Sequence, residues 1–284
     1  MSRAAGESTD GEPERRPTPM SRATVPRVLR WRVVGVGIAY VLAIGLVYGG
    51  LIAVWDSPAR GWALVAASVA AIEWGFCWRL LARNRHPESG RLFRTLGPAN
   101  ALTLFRGGCV ALAAGFLVVP MPEGWVRWVP AGLCALAGLA DYGDGLVARY
   151  SGHETELGAA LDVEFDGIAT LVAAALCVRY GQVFAPYLAV GFARYAFVIG
   201  RVWRRWRGKR VGELPPSRVR RYLYVAQFTF SSVVLTPVVA PPLGVPAALV
   251  GGAFVLGFAR DWLSVTGRLD HPGGVDRADR FDRG

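Results

Sequence analysis

Paired cysteines are missing from this chain, and so is any cysteine and histidine pattern able to hold zinc. Cys77, Cys109, Cys134 and Cys177 stand singly inside apolar runs. Without a CxxC pair they argue against a disulfide framework and a zinc site, and they read as small packing residues. His86, His153 and His271 fall in polar segments without ligand spacing. A secretory signal is also missing: the stretch before Pro26 has no short apolar core and no small-residue cleavage site, so the first apolar run should stay attached. No internal repeat of roughly 20 to 50 residues marks a solenoid. Charge is sparse as well, 19% of residues against 53% hydrophobic, with a mean hydropathy of +0.33. That balance points away from a soluble globular domain and toward the bilayer as solvent.

The net charge is +11, carried almost wholly by arginine. In a soluble protein this would suggest nucleic acid, yet no nucleic-acid-binding motif is present. Arginines flanking apolar segments report topology and touch anionic headgroups instead, so no nucleic-acid partner is expected.

Eight apolar stretches are long enough to count as candidate spans: Val33 to Trp55, Gly61 to Leu81, Ala101 to Val119, Trp128 to Ala148, Ala159 to Cys177, Phe184 to Trp203, Tyr222 to Val239 and Ala247 to Trp262. All should be helices, because lipid offers backbone groups no other partner. The fold class expected is therefore an all-α integral membrane protein. Residues 1–26 read as a disordered tail, 27–97 as two accessory transmembrane helices with an Arg-rich connection, 98–267 as a six-helix domain and 268–284 as a loose tail. The connection carrying Arg79, Arg83, Arg85, Arg91 and Arg94 fits either a short interfacial helix or a plain loop. Tryptophans such as Trp55, Trp74, Trp78, Trp128, Trp203 and Trp262 gather near span ends, as interfacial anchors do.

Arg-bearing segments (the N-terminal tail, the Arg79 to Arg94 connection, the Arg149 turn and Arg201 to Arg221) alternate with short loops near Ser57, Pro122, Gly181 and Pro241. The positive-inside rule then puts both termini and the acid-rich turn after the fourth span on the cytoplasmic side of a multi-pass cell-membrane protein.

That turn carries the chemistry. Asp141 and Asp144 are three residues apart, and Asp162 and Asp166 four apart, so each pair shares one helix face. Carboxylates in membrane-like sequence are costly, roughly 2.5 to 3.5 kcal/mol each at the bilayer centre, and call for a bound partner. Gly158 precedes Asp162 by four residues and would let two helices approach, with Ala148 continuing the first stripe. Oxygen-only ligands favour hard divalent cations such as Mg²⁺, Mn²⁺ or Ca²⁺, and a pair of such ions can grip a diphosphate and support in-line displacement. Gly145 and Arg149, also four apart, offer a gap and a guanidinium for phosphate.

The spacing DxxDGxxAR, eight residues, GxxxDxxxD, running from Asp141 to Asp166, resembles the signature of the CDP-alcohol phosphotransferase family, which includes CDP-alcohol phosphatidyltransferases, and every fixed position matches. Asn100-Ala-Leu-Thr103-Leu-Phe-Arg106 resembles the family's Asn-x-x-Thr-x-x-Arg element. The resemblance implies a six-helix core over about Pro98 to Trp262, a homodimer, and two divalent ions, Mg²⁺ or Mn²⁺, held by Asp141, Asp144, Asp162 and Asp166. It makes Asp166 the general base, and Asn100, Thr103, Gly145, Arg149 and Thr155 contacts of a CDP-linked donor. The reaction implied is transfer of a phosphatidyl or related lipid-phosphate group from a CDP-lipid such as CDP-diacylglycerol to a small polar or phosphorylated alcohol, with release of CMP. A soluble CDP-alcohol with a lipid acceptor is the alternative within the family. A divalent-cation transporter would explain the acids alone, without Gly145, Ala148 and Arg149 at fixed offsets.

For the acceptor, Arg194 and Arg201 lie seven residues apart on one face of the sixth span, and Arg218 opens the seventh. Ser217-Arg218-Val-Arg220-Arg221 departs from the Ser-x-x-Gly-Lys element of glycerophosphate-type members, which leaves the acceptor class open. Glu73, in the second span, is accounted for by a partner such as Arg79 or by a partly wet helix face, and is left outside the site.

Overall fold

The computed structural model describes residues 25–54, 58–151, 153–212, 214 and 217–268. Among them every long element is a helix: α1 (Arg27–Ile52), α2 (Pro58–Leu80), α3 (Gly97–Gly115), α4 (Trp128–Ser151), α5 (Glu156–Arg179), α6 (Leu188–Trp206), α7 (Arg218–Val234) and α8 (Gly244–Val265). Their order follows the eight apolar stretches. The stretches expected as tails lie outside the described residues from 1 to 24 and from 269 onward.

Four segments are long and apolar enough to cross a membrane by length and composition: Arg27–Ile52, Ala59–Arg83, Gly97–Val118 and Gly244–Val265. The other four helices carry more charge, aspartates on α4 and α5 and arginines on α6 and α7. The chain is an all-α, multi-pass membrane protein. Its third helix starts earlier than the apolar run because Gly97 turns the chain at φ +78° and Pro98 fits the first turn, where its missing N–H is no loss.

The bundle is built around α3, which packs along α4 and against α2 and α5; α6, α7 and α8 close the far side through α5 and α4. Small residues permit the close approach: a Cβ on Gly115 would sit 2.6 Å from the Trp62 ring of α2. All four cysteines are free and buried, as packing residues should be.

A second apolar cluster joins Leu29 and Val33 of α1, Cys77 of α2, Leu104 of α3, and Leu157, Leu161 and Phe165 of α5. Those three α5 residues recur every fourth position, so they form one stripe held against the N-terminal helices. The adjacent stripe, Gly158, Asp162 and Asp166, is thereby turned toward α3 and α4.

Between α2 and α3 the Arg-rich connection is not an interfacial helix. After one 3-10 turn at Leu81–Arg83 it folds as a small hairpin with an Arg85 to Leu92 bridge, where His86 N donates to Arg91 O at 3.0 Å and Phe93 N to Asn84 O at 2.9 Å. The hairpin docks on α5: Glu156 N donates to Arg85 O at 3.0 Å, and the His153 ring lies 4.0 Å from Phe93, centroid to centroid.

Candidate active site

Helical spacing does what the sequence suggests. One carboxylate oxygen each from Asp141 and Asp144 of α4 and Asp162 of α5 come within 4.8 Å of one another. Asp166, one turn further along α5, joins them through a shared cation, Arg106 of α3. The Arg106 Nη1 atom pairs with Asp141 and lies 3.2 Å from Asp166 Oδ1, while Nη2 donates to Asp162 Oδ1 at 2.8 Å and to Asp162 O at 3.2 Å. Thr103, one turn before Arg106, sets its hydroxyl 3.1 Å from Asp144 Oδ2 and 3.1 Å from Ala99 O. Arg106 is 2% exposed, whereas the side chains of Asp141 and Asp162 are each 43% exposed and that of Asp166 31%. The acids thus open outward from a buried cationic floor.

Four carboxylates against one guanidinium leave a formal charge of minus three (four times minus one, plus one) on this cluster. Its donors are all oxygen, with no sulfur or imidazole, which is the chemistry of a hard divalent cation. The residues present therefore fit such an ion. In the sequence Arg106 stands only as the last residue of the Asn-x-x-Thr-x-x-Arg element, an element of the nucleotide pocket by resemblance, with no link to the acids. The available signal was an arginine inside an apolar helix, which is a functional-site candidate by default.

Asn100 and Thr155 meet in a buried polar knot. Asn100 Nδ2 donates to Thr155 Oγ1 at 3.1 Å and to Asn84 Oδ1 at 3.3 Å, and Asn84 Nδ2 donates to Thr95 O at 2.8 Å. Thr155 also caps α5, accepting from Gly158 N at 2.9 Å. Gly158 lies hard against the Asn100 side chain, leaving no room for a Cβ. Asn84, unnoticed in the sequence, is fully buried and ties the hairpin to α3. Gly145 is half-buried beside Asp144 on α4. The side chains of Ala148, Arg149 and Arg218 lie outside the described residues.

On the α6 side, Arg194 crosses α5 where Gly167 has no side chain: a Cβ there would be 2.7 Å from Arg194 Cδ. Its guanidinium lies 4.0 Å from Glu164 Oε1, and its charge reaches Asp166. Arg201, two turns on, is placed 5.8 Å from the Phe197 ring centroid. A cavity of about 330 Å³ opens between α7 and α8, walled by Tyr224, Phe254 and Phe258 with Arg220 and Asp261 paired at 3.6 Å. The structure sets Arg194 against α5 at Gly167, the residue after Asp166, and Arg201 over an aromatic ring of its own helix.

Glu73 departs from its expected account. It is 0% exposed, so no helix face wets it, and neither carboxylate oxygen has a hydrogen-bond partner, Arg79 included, among the described residues.

An all-helical bundle with an outward-facing aspartate cluster of hard-cation chemistry defines a metal-compatible site within a membrane protein. Residues 97–259 match the family model described as CDP-alcohol phosphatidyltransferase, and the chain belongs to that family. The match starts at the first residue of α3 and ends within α8, so α1 and α2 lie outside it. No curated protein and no solved structure matches the chain. Membership makes the protein an enzyme that transfers a phosphatidyl-type group between a CDP-linked donor and an alcohol at a membrane, in a family that typically uses divalent metals.

Proposed function

We propose that this protein moves a phosphatidyl or related lipid-phosphate group from a CDP-lipid such as CDP-diacylglycerol to a small polar alcohol, releasing CMP, in phospholipid synthesis at the cytoplasmic face of the cell membrane. The observation that carries the reading is the convergence of Asp141, Asp144 and Asp162 within 4.8 Å, with Asp166 on the same guanidinium.

In this reading Asp141, Asp144, Asp162 and Asp166 hold two divalent ions, Mg²⁺ or Mn²⁺. When bound, such ions neutralise the diphosphate and stabilise charge on the attacking and leaving oxygens. The chain's own residues do the rest. Thr103 fixes the Asp144 carboxylate, and Asn100, Thr155, Gly145 and Arg149 shape the donor side. Asp166 takes the proton of the acceptor hydroxyl as that oxygen attacks phosphorus and CMP departs. Arg194, beside Asp166, supplies positive charge to an acceptor that carries phosphate, with Arg201 and Arg218 further out. The six helices from residue 98 to 267 form the catalytic unit, working as a homodimer, and residues 27–97 are accessory.

The test is direct. Purified protein in lipid bilayers, given CDP-diacylglycerol, Mg²⁺ or Mn²⁺, and a panel of glycerol 3-phosphate, serine, inositol and inositol phosphate, should release CMP with one acceptor and yield the matching phospholipid by mass. Metal uptake with no CMP release from any pairing would instead favour cation transport.

A further inference from the structure

Two ionisable groups, both buried and, among the described residues, both incompletely partnered, stand on neighbouring helices. Arg106 Nε has no hydrogen-bond partner, although both of its terminal nitrogens are occupied by aspartates. Both carboxylate oxygens of Glu73 lack partners as well. Buried polar atoms without partners are rare, and an unpaired buried carboxylate more so, which makes this pair a feature in need of a cause.

The geometry narrows that cause. Glu73 comes from α2, and its Oε2 lies 2.9 Å from the point that a Cβ on Gly107 would occupy. Any side chain at Gly107 would displace the carboxylate from α3, so this glycine keeps Glu73 against the backbone next to Arg106. Burial disfavours a lone charge on Glu73, so a carboxylate there needs a cation nearby, and Arg106, next in sequence to Gly107, is positioned to offset that cost. The other titratable neighbours are poor candidates: Tyr40 already donates its hydroxyl to Leu104 O at 2.6 Å, and Cys109 is a weak donor. Among the described residues, Arg106 is the cation whose charge bears on Glu73.

Arg106 meanwhile occupies the oxygens that a divalent cation would need. When a cation takes them, a buried guanidinium facing further positive charge needs another anion. We propose that Glu73 is that anion: a positioning residue, contributed by the accessory helices, which receives Arg106 as the aspartates turn to the metal. The inference rests on the functional reading above. It gives α2 a task outside the segment that matches the family, namely setting how readily the aspartate cluster exchanges its internal cation for an external one.

The exchange is read by Mn²⁺ binding to the full chain in lipid bilayers without substrate, followed by electron paramagnetic resonance or calorimetry. Glu73→Gln keeps the shape and removes the charge; it should weaken Mn²⁺ binding about tenfold, within the usual range for coupled sites. Glu73→Asp should recover part of the loss. In an Arg106→Gln background the Glu73→Gln effect should largely vanish, because a residue acting through Arg106 has nothing left to act on. A merely structural Glu73 would lower Tm equally with and without Mn²⁺ and leave affinity unchanged. Wild-type affinity in Glu73→Gln, or an undiminished effect in the Arg106→Gln background, overturns the proposal while leaving the metal site intact. Should Glu73→Gln fail to fold, the Glu73→Asp variant read with and without Arg106→Gln supplies the same comparison. Mn²⁺ binding that is absent in the wild type, or that is unaffected by Asp144→Asn, would instead overturn the functional reading itself, and this inference with it.

Discussion

The side of the site built by α3, α4 and α5 and the side built by α6, α7 and α8 meet near Asp166 but are held by different forces. On the first side, directional bonds over-determine each group: Asn84, Asn100 and Thr155 satisfy one another, Thr103 reaches Asp144, and Arg106 spans three carboxylates. On the second, arginines lie near aromatic rings, Arg201 at 5.8 Å from Phe197 and Arg204 at 6.0 Å from Trp262, and ion pairs are long, 3.6 and 4.0 Å. Hydrogen bonds lose strength steeply with angle, whereas cation and ring contacts tolerate displacement. The first side is suited to one fixed geometry, which under the proposed function would be that of the CDP-linked donor. The second can be re-shaped for different alcohols, which is where the sequence also departs from a known acceptor element.

The contrast is broken most severely at the point where the two sides touch. Asp166→Asn should lower turnover by about 10²- to 10⁴-fold, the usual share of a general base, while helical content is kept; CMP release by purified protein checks it, and near-normal turnover would remove Asp166 from that role. Next comes rigidity. In Gly158→Ala the new methyl meets the Asn100 side chain and lies 3.2 Å from Thr155 Oγ1. Because both are tied by hydrogen bonds and cannot yield, a loss of about 1 to 3 kcal/mol is expected from overpacking. A thermal melt in detergent measures it, and an unchanged Tm would mean that the polar knot is softer than its bonding suggests. The smallest effect belongs to the adaptable side: Arg194→Ala should raise the acceptor KM about tenfold, as loss of a charged hydrogen bond would, and leave the donor KM nearly alone. An equal rise for both substrates would place Arg194 on the donor side.

Much of this was legible in the chain. Apolar runs marked each helix, because lipid leaves the backbone one way to satisfy itself, and the spacing of Asp141, Asp144, Asp162 and Asp166 placed each pair on one face. What stayed hidden depends on contacts between residues far apart in sequence. The Asn-x-x-Thr-x-x-Arg spacing marks Arg106 but not the acids it pairs with, and nothing local distinguishes Glu73 from a glutamate that pairs with Arg79; the packing of α2 on α3 buries both. Asn84 looked like loop because its partners, Thr95 and Asn100, become neighbours only once the hairpin has closed. Trp62 reads as one more interfacial anchor but is fully buried against Phe116 and Gly115, since the small residues of α3 admit it.

The hydrogen bond from Glu156 N to Arg85 O has a consequence for biogenesis. A chain entering the bilayer from its N-terminus exposes the hairpin carbonyl long before the helix that needs it has been synthesised. The opening turn of α5, and with it the orientation of two of the four acids, is therefore completed only when an early segment captures a late one. A half-inserted polypeptide carries one pair of aspartates and gathers no full cluster, so the assembled acid site arrives with the end of insertion rather than ahead of it.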